Sequence, residues 1–110
     1  MRDAFLRSLI TLAETDDRIA LLTGDLGFGV VEKFGDKFPD RFWNCGVAEQ
    51  SMIGIAAGLA KSGMLPFVYS IANFPTFRCL EQIRNDICYH NLPVTIVSVG
   101  AGLGYGTLGY

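Results

Sequence analysis

The chain has 110 residues, half of them hydrophobic and 18% charged, with a net charge of −2 at neutral pH. This length fits one domain with its own core, and the scattered basic residues argue against binding to nucleic acid or to an anionic membrane. No run approaches the roughly 18 apolar residues of a membrane span, and the acids near the N-terminus are unlike a signal peptide. We therefore expect a soluble, cytoplasmic domain whose apolar balance indicates that another subunit or domain covers part of its surface.

The three cysteines form no CxxC motif, and their odd number argues against a disulfide framework. Their spacing is typical of small buried hydrophobic residues in a reducing compartment. The three cysteines are Cys45, Cys79 and Cys88. We also expect no metal site on this chain.

The first half of the chain predicts helix and strand in alternation. Apolar residues at helical spacing predict an amphipathic helix over 3–15, and the short β run "RIALLTGD" follows it. The glycine-rich loop "GDLGFG" closes that strand, and a short helix in "VVEKFGDKF" is stopped by Pro39. A second short strand, "RFWNCG", comes next.

The second half continues the alternation. A helix is predicted from Ala48 to Ser62, ended by Gly63, and is followed by a third strand in "MLPFVYS". Helical periodicity returns in "TFRCLEQIRNDICYH", and "LPVTIVSV" is a fourth strand. This order predicts an α/β domain with a parallel sheet flanked by helices. The apolar side of the last helix is predicted to contain Phe77, Leu80, Ile83, Ile87 and Cys88.

The chain ends in "GAGLGYGTLGY" without a closing helix, so we expect either an incomplete domain or a loop completed by a partner. Within this tail, "GYGTLG" matches the GxGxxG pattern of dinucleotide-binding domains. A dinucleotide-binding domain is therefore one alternative hypothesis, which predicts NAD binding by the isolated chain. The absence of a following helix in this chain argues against it.

Ligands of open α/β sheets bind beyond the carboxyl ends of the strands. Three predicted loops lie at such ends and are expected to meet in one crevice. They carry Asp25 in "GDLGFG", Glu49 in "CGVAE", and the aromatic residues of "SIANFPTF".

Glu49 is the candidate of greatest chemical interest, because no charged residue follows it before Lys61. A carboxylate in the first turn of a helix is ordinarily explained by the helix dipole and by capping. However, an all-apolar helix is typically buried, and Gly54 and Gly58 would let another backbone approach it closely. Burial favours the neutral form of an acid, which suits proton exchange with a bound heterocycle.

Phe74 and Phe77 flank Pro75 in the loop before the last helix. Both are candidates for ligand contact, and core packing or a hydrophobic staple is the structural alternative. Arg78 is either a solvated helix residue or an anion-binding one, since a cation near a helix N-terminus opposes the dipole.

The stretch "GVAEQSMIGIAAGLA", together with "GDLGFG" and "FRCLEQIRNDICYHNLPVTIVSVGAGLGYGTLG", resembles the pyrimidine-binding domain of transketolase-like, thiamine-diphosphate-dependent enzymes. The resemblance covers nearly the whole chain and implies the thiamine-diphosphate-binding fold. It implies that Glu49 protonates or polarises the aminopyrimidine ring, so that the exocyclic amino group can deprotonate the thiazolium carbon. The cofactor would then supply the carbanion chemistry.

The resemblance also assigns further residues of the site. It implies that Asp25 and Leu26 belong to the loop that reaches the cofactor, and that Phe74 packs on the pyrimidine, with Phe77 as the alternative. The "RCLEQI" stretch is similar to one in deoxyxylulose-phosphate synthase, whose arginine contacts the substrate phosphate. The resemblance therefore implies that Arg78 binds a substrate phosphate.

The family binds the diphosphate and its Mg²⁺ through a separate domain, and we expect that domain and the family's C-terminal domain to be absent from this chain. The resemblance therefore implies a homo- or hetero-oligomer with an active site between chains, and an isolated chain that is inactive. The leading hypothesis is a subunit of a split transketolase that transfers a two-carbon ketol unit between sugars. The alternatives are a deoxyxylulose-phosphate synthase, a 2-oxoacid dehydrogenase beta subunit, or a non-catalytic interaction domain.

Overall fold

Four parallel strands form the central sheet, and helices pack on both of its faces. The computed structural model describes residues 1–102, 104 and 106. In this part of the chain the strands are β1 (Ile19–Thr23), β2 (Phe42–Asn44), β3 (Leu65–Ile71) and β4 (Thr95–Val99). The helices are α1 (Arg2–Ala13), α2 (Glu32–Lys37) and α3 (Glu49–Lys61), with a 3-10 turn at Pro39–Arg41 and a composite helix over 77–88. The predicted α/β class with a parallel sheet is confirmed.

The strand order β2-β1-β3-β4 places β1 inside the sheet. Leu21 of β1 is in register with Phe42 of β2 on one side and with Phe67 of β3 on the other. All five residues of β1 are buried, as expected for a parallel strand with helices over both faces. The β4 strand lies at an edge of the described sheet and is only partly covered.

Successive residues of β1 point to opposite faces of the sheet, so each face has its own apolar core. Leu21 belongs to the core beneath α1 and α2, and Leu22 to the core beneath α3 and the composite helix. The first core also contains Leu6, Leu9, Phe34 and Tyr69, and the second contains Met52, Ile53, Val68, Cys79 and Ile87. The second core fixes α3, and therefore its first residue, against the sheet.

The α3 helix agrees with its predicted bounds to within one residue, and Gly63 follows it with a φ of +99°. The expectation that this helix is buried on all sides is wrong within the described part of the chain. Ile55 is 46% exposed and Gly58 is also exposed. A Cβ atom placed on Gly54 or Gly58 would meet nothing within 4 Å, so no described backbone packs against this face.

The last helix is not the regular α-helix that its periodicity predicted. It consists of a 3-10 turn at Phe77–Cys79, a short α segment at Leu80–Gln82 and a π-helical segment at Ile83–Cys88. The predicted apolar side is also partly wrong, because Phe77 is 80% exposed and Leu80 is 62% exposed. Ile87 lies in the core as predicted and Ile83 packs against it, while the change of helical pitch turns Cys79 towards the core in place of Phe77 and Leu80.

No helix in the described part of the chain is both long enough and apolar enough to cross a membrane.

Candidate functional site

Three loops follow the carboxyl ends of β1, β2 and β3, and parallel pairing brings these ends to the same edge of the sheet. The loop after β2 contacts both of the others. Asn44 joins it to the loop after β1, and Glu49 joins it to the loop after β3. The predicted convergence of Asp25, Glu49 and the aromatic loop at one edge is therefore observed.

Glu49 is the first residue of α3 and is only 3% exposed. Its Oε1 atom lies 3.5 Å from the hydroxyl of Ser70, which donates a long hydrogen bond from the end of β3. A Cβ atom on Gly24 would lie 3.6 Å from the same oxygen, so the bare backbone of Gly24 forms part of the wall. The carboxylate thus sits in a narrow space between β1, β3 and the start of α3.

Arg78 provides the charge partner of this buried carboxylate. Its Nη1 atom lies 3.1 Å from Oε2 of Glu49, and its side chain is 46% exposed. The helix N-terminus at Glu49 also favours a negative charge there. The described hydrogen bonds of the Glu49 side chain therefore go to Ser70 and Arg78, and not to the helix amides that a capping role requires.

Phe74 belongs to the same cluster through Arg78. The guanidinium carbon of Arg78 lies 4.0 Å from the centroid of the Phe74 ring, in a cation–π contact. Gln50, the neighbour of Glu49, donates a hydrogen bond of 2.9 Å to the backbone carbonyl of Arg78. This bond ties the backbone at the start of the composite helix to α3.

Asp25 lies at the rim of the site, with an exposed side chain and a φ of +57°. Its carboxylate accepts a hydrogen bond of 3.0 Å from Nδ2 of Asn44, and its backbone N–H donates one of 2.9 Å to Oδ1 of Asn44. Leu26 is half-buried against the core beneath α1 and α2. Its carbonyl accepts a hydrogen bond from Thr23, which fixes the turn.

Two sequence expectations fall outside this cluster. Phe77 points away to an exposed position, where it lines a separate cavity of about 310 Å³ beside Asn73 and Ser98. The GxGxxG stretch of the tail lies mostly outside the described residues, which include only Gly104 and Gly106 of it. The cluster therefore contains Glu49, Phe74 and Arg78, with Asp25 and Leu26 in the adjoining loop.

The pKa of the Cys79 thiol reflects the charges of the cluster beside it. Burial raises the pKa of the Cys79 thiol, the negative charge of Glu49 raises it further, and Arg78 opposes this. Burial also raises the pKa of the half-buried Cys45. The expectation of buried cysteines is correct for Cys79 and wrong for Cys88, which is exposed.

Sequence reasoning missed four residues that build the site: Gly24, Asn44, Gln50 and Ser70. Ser70 carried a usable signal, since it is a polar residue at the end of an otherwise apolar strand. Asn44 holds an equivalent place at the end of β2. The roles of Gly24 and Gln50 depend on contacts between distant segments, which the sequence does not display.

The whole chain, residues 1–110, matches the family model described as the pyrimidine-binding domain of transketolase. The chain belongs to the transketolase pyrimidine-binding domain family. This family is one of thiamine-diphosphate-dependent enzymes, so the resemblance read from the sequence is confirmed.

Relatives of this pyrimidine-binding domain occur in more than one enzyme. An apulose-4-phosphate transketolase subunit from Phocaeicola vulgatus is 40% identical over 109 residues, which make up 98% of this chain and 35% of that protein. The 1-deoxy-D-xylulose-5-phosphate synthase of Clostridium perfringens is 39% identical over 102 residues, or 90% of this chain and 16% of the synthase. The chain thus spans 35% or less of the length of these relatives.

A solved structure described as a split-gene transketolase, in an inactive beta4 tetramer, has the same fold. It superposes with a TM-score of 0.78 at 41% identity, over 86% of this chain and 32% of that one. The described sheet and helices of the pyrimidine-binding domain therefore form part of a larger architecture in that relative.

Proposed function

We propose that this chain is the pyrimidine-binding part of a thiamine-diphosphate-dependent, transketolase-like transferase. The enzyme would move a two-carbon ketol unit between sugars in the cytoplasm, with an active site shared with another chain or domain. The single observation that carries the proposal is the buried carboxylate of Glu49, at the meeting point of three loops and within the family's motif.

The residues present fit the pyrimidine part of the cofactor. Glu49 offers an acid in a water-poor position, Gly24 presents a bare backbone beside it, and Phe74 offers an aromatic face nearby. Asp25 and Leu26 would form the adjoining wall. When bound, thiamine diphosphate supplies the carbanion chemistry, and the task of Glu49 is to hold or donate a proton at the ring.

The rest of the cofactor would be held elsewhere. We assign the diphosphate and its Mg²⁺ to a partner subunit or another domain, in keeping with the split architecture named for the solved relative. The assembled protein would be a homo- or hetero-oligomer, and this domain alone would be inactive.

Arg78 would bind the phosphate of the sugar substrate. Its guanidinium is half-exposed and lies at the mouth of the site, where an anion can reach it from solvent. Two relatives carry sugar phosphates in their names, apulose 4-phosphate and 1-deoxy-D-xylulose 5-phosphate.

A second candidate function is 1-deoxy-D-xylulose-5-phosphate synthesis, favoured by the 39% identity to that synthase. Both functions would keep Glu49 and Arg78 and differ in the donor. Assays of the assembled protein with a ketose phosphate, or with pyruvate, as the donor separate them. Turnover with the ketose phosphate as the donor, and none with pyruvate, supports the transketolase function.

Glu49→Gln tests the catalytic assignment, because it removes the ionisable proton while keeping the size and shape of the side chain. We expect turnover to fall by about 100-fold or more, the scale of a lost general acid or base. The matched control is Glu32→Gln, which changes an exposed glutamate in the first turn of α2. Near-full activity of Glu49→Gln would remove the proposed role, provided both variants assemble.

A further inference from the structure

Arg78 contacts two of the groups that the proposed cofactor site offers to a ring, one carboxylate oxygen of Glu49 and the ring of Phe74. Its guanidinium lies 3.1 Å from the carboxylate of Glu49 and 4.0 Å from the centre of the Phe74 ring. A planar cation in this position uses the same hydrogen-bond acceptor and the same aromatic face that an aminopyrimidine would use. A ring that binds Oε2 of Glu49 and this face of Phe74 must therefore displace the guanidinium.

The backbone and the side chain of Arg78 differ in how firmly they are held. Its carbonyl accepts a hydrogen bond from Gln50, and its N–H donates one of 3.1 Å to the carbonyl of Asn73. The side chain, in contrast, is 46% exposed. Rotation about the side-chain torsions can thus release the guanidinium into solvent while the loop stays in place.

We propose that Arg78 is a latch that closes the empty pyrimidine site and becomes the anion-binding group when the cofactor displaces it. This inference rests on the proposed function and adds an order of binding to it. Among the described residues Glu49 is the carboxylate paired with Arg78, so a guanidinium that leaves it gives up that partner and remains tethered at the mouth of the site. An anionic substrate is then its available partner, so cofactor binding prepares the substrate site.

The latch makes two predictions of opposite sign for the same side chain. Removing the guanidinium removes a competitor of the cofactor, so affinity for the cofactor increases. It also removes the anion site, so affinity for the sugar phosphate decreases. By thermodynamic linkage, anion binding to Arg78 in the intact protein favours the open site and strengthens cofactor binding.

The test is calorimetric titration of the assembled protein with thiamine diphosphate in the presence of Mg²⁺. The variant is Arg78→Met, which keeps a long unbranched stem without the charge, and the control is Arg84→Met on the exposed side of the same composite helix. We expect the dissociation constant to fall by about threefold to tenfold in Arg78→Met, the scale of one half-exposed ion pair and one cation–π contact. Arg84→Met should bind like the wild type.

A double-mutant cycle with Glu49→Gln separates this inference from the proposed function. The latch predicts that the gain from Arg78→Met largely disappears when Glu49 is already glutamine, because the carboxylate that holds the guanidinium is gone. Unchanged or weaker cofactor binding by Arg78→Met, with Glu49→Gln still impaired, would overturn the latch alone. Absence of thiamine diphosphate binding by the wild type would overturn the proposed function itself.

Discussion

Asn44 and Asp25, 19 residues apart, exchange two hydrogen bonds across the edge of the sheet. Oδ1 of Asn44 accepts from the backbone N–H of Asp25 at 2.9 Å and from that of Gly46 at 3.0 Å, while its Nδ2 donates to the Asp25 carboxylate. One side chain therefore sets the relative position of two of the three loops that form the site.

Asn44→Asp should loosen this connection. The new carboxylate keeps the acceptor but loses the donor, and it faces the negative charge of Asp25. We expect the free energy of unfolding to fall by about 1–2 kcal/mol at neutral pH, measured by urea titration, and cofactor affinity to fall with it. Asn85→Asp, on the exposed side of the composite helix, is the control. Equal stability of Asn44→Asp and the wild type would show that the loops are held by other contacts.

A substitution at Gly58 tests whether the exposed face of α3 stays open to solvent. Gly58→Ala adds a methyl group that meets no described atom, and alanine is favoured over glycine inside a helix by about 0.5–1 kcal/mol. We expect a gain of this size in the free energy of unfolding. Gly35→Ala is the contrasting variant, because its Cβ atom would lie 2.7 Å from the Phe42 ring, at a cost of about 1–3 kcal/mol.

A decrease in the free energy of unfolding of Gly58→Ala would contradict this expectation. A loss of stability confined to the assembled protein would mean that a second backbone packs against α3, as the glycine spacing had suggested. The gain is expected if this face stays open in the assembly.

Acid should weaken the turn between α1 and β1. Hydrogen bonds from Arg18 lower the pKa of Asp16 from 3.8 to about 2. Because the pKa is lower in the folded state, the ionised form stabilises the fold above about pH 4, and this contribution is lost as the pH falls towards 2. Asp16→Asn should therefore be less stable than the wild type at pH 6, with the difference shrinking towards pH 2.

The control for this measurement is Asp17→Asn, next in the chain, whose side chain is fully exposed. Thermal unfolding of the three proteins between pH 2 and pH 6 gives the comparison. A difference between Asp16→Asn and the wild type that does not change with pH would contradict the account of this turn.

Local patterns in the sequence were sufficient for most of the fold. The apolar run of β1 and the helical spacing that ends at Gly63 each determine an element without help from distant residues. The composite helix was misread because apolar spacing assumes 3.6 residues per turn, which does not hold through 3-10 and π segments. Phe77 shows the consequence: regular spacing predicts it in the core or on the cofactor, but in the structure its side chain is exposed.

The sequence predicted the acid of the site, Glu49, but not the ion pair that this acid forms. Glu49 was conspicuous because it stands alone before a long apolar run. Its ion pair with Arg78 joins residues 29 apart, and it forms because parallel strands bring the loops after β2 and β3 together. No local pattern encodes that approach, so the sequence indicated a buried acid but not the cation beside it.

The central claim is that Glu49 receives the pyrimidine ring of thiamine diphosphate. The most direct test is a structure of the assembled protein with thiamine diphosphate and Mg²⁺ bound. The account predicts a ring nitrogen hydrogen-bonded to the Glu49 carboxyl group, with the Arg78 guanidinium released from it. A bound cofactor whose ring lies elsewhere, with the Glu49–Arg78 pair intact, would contradict it.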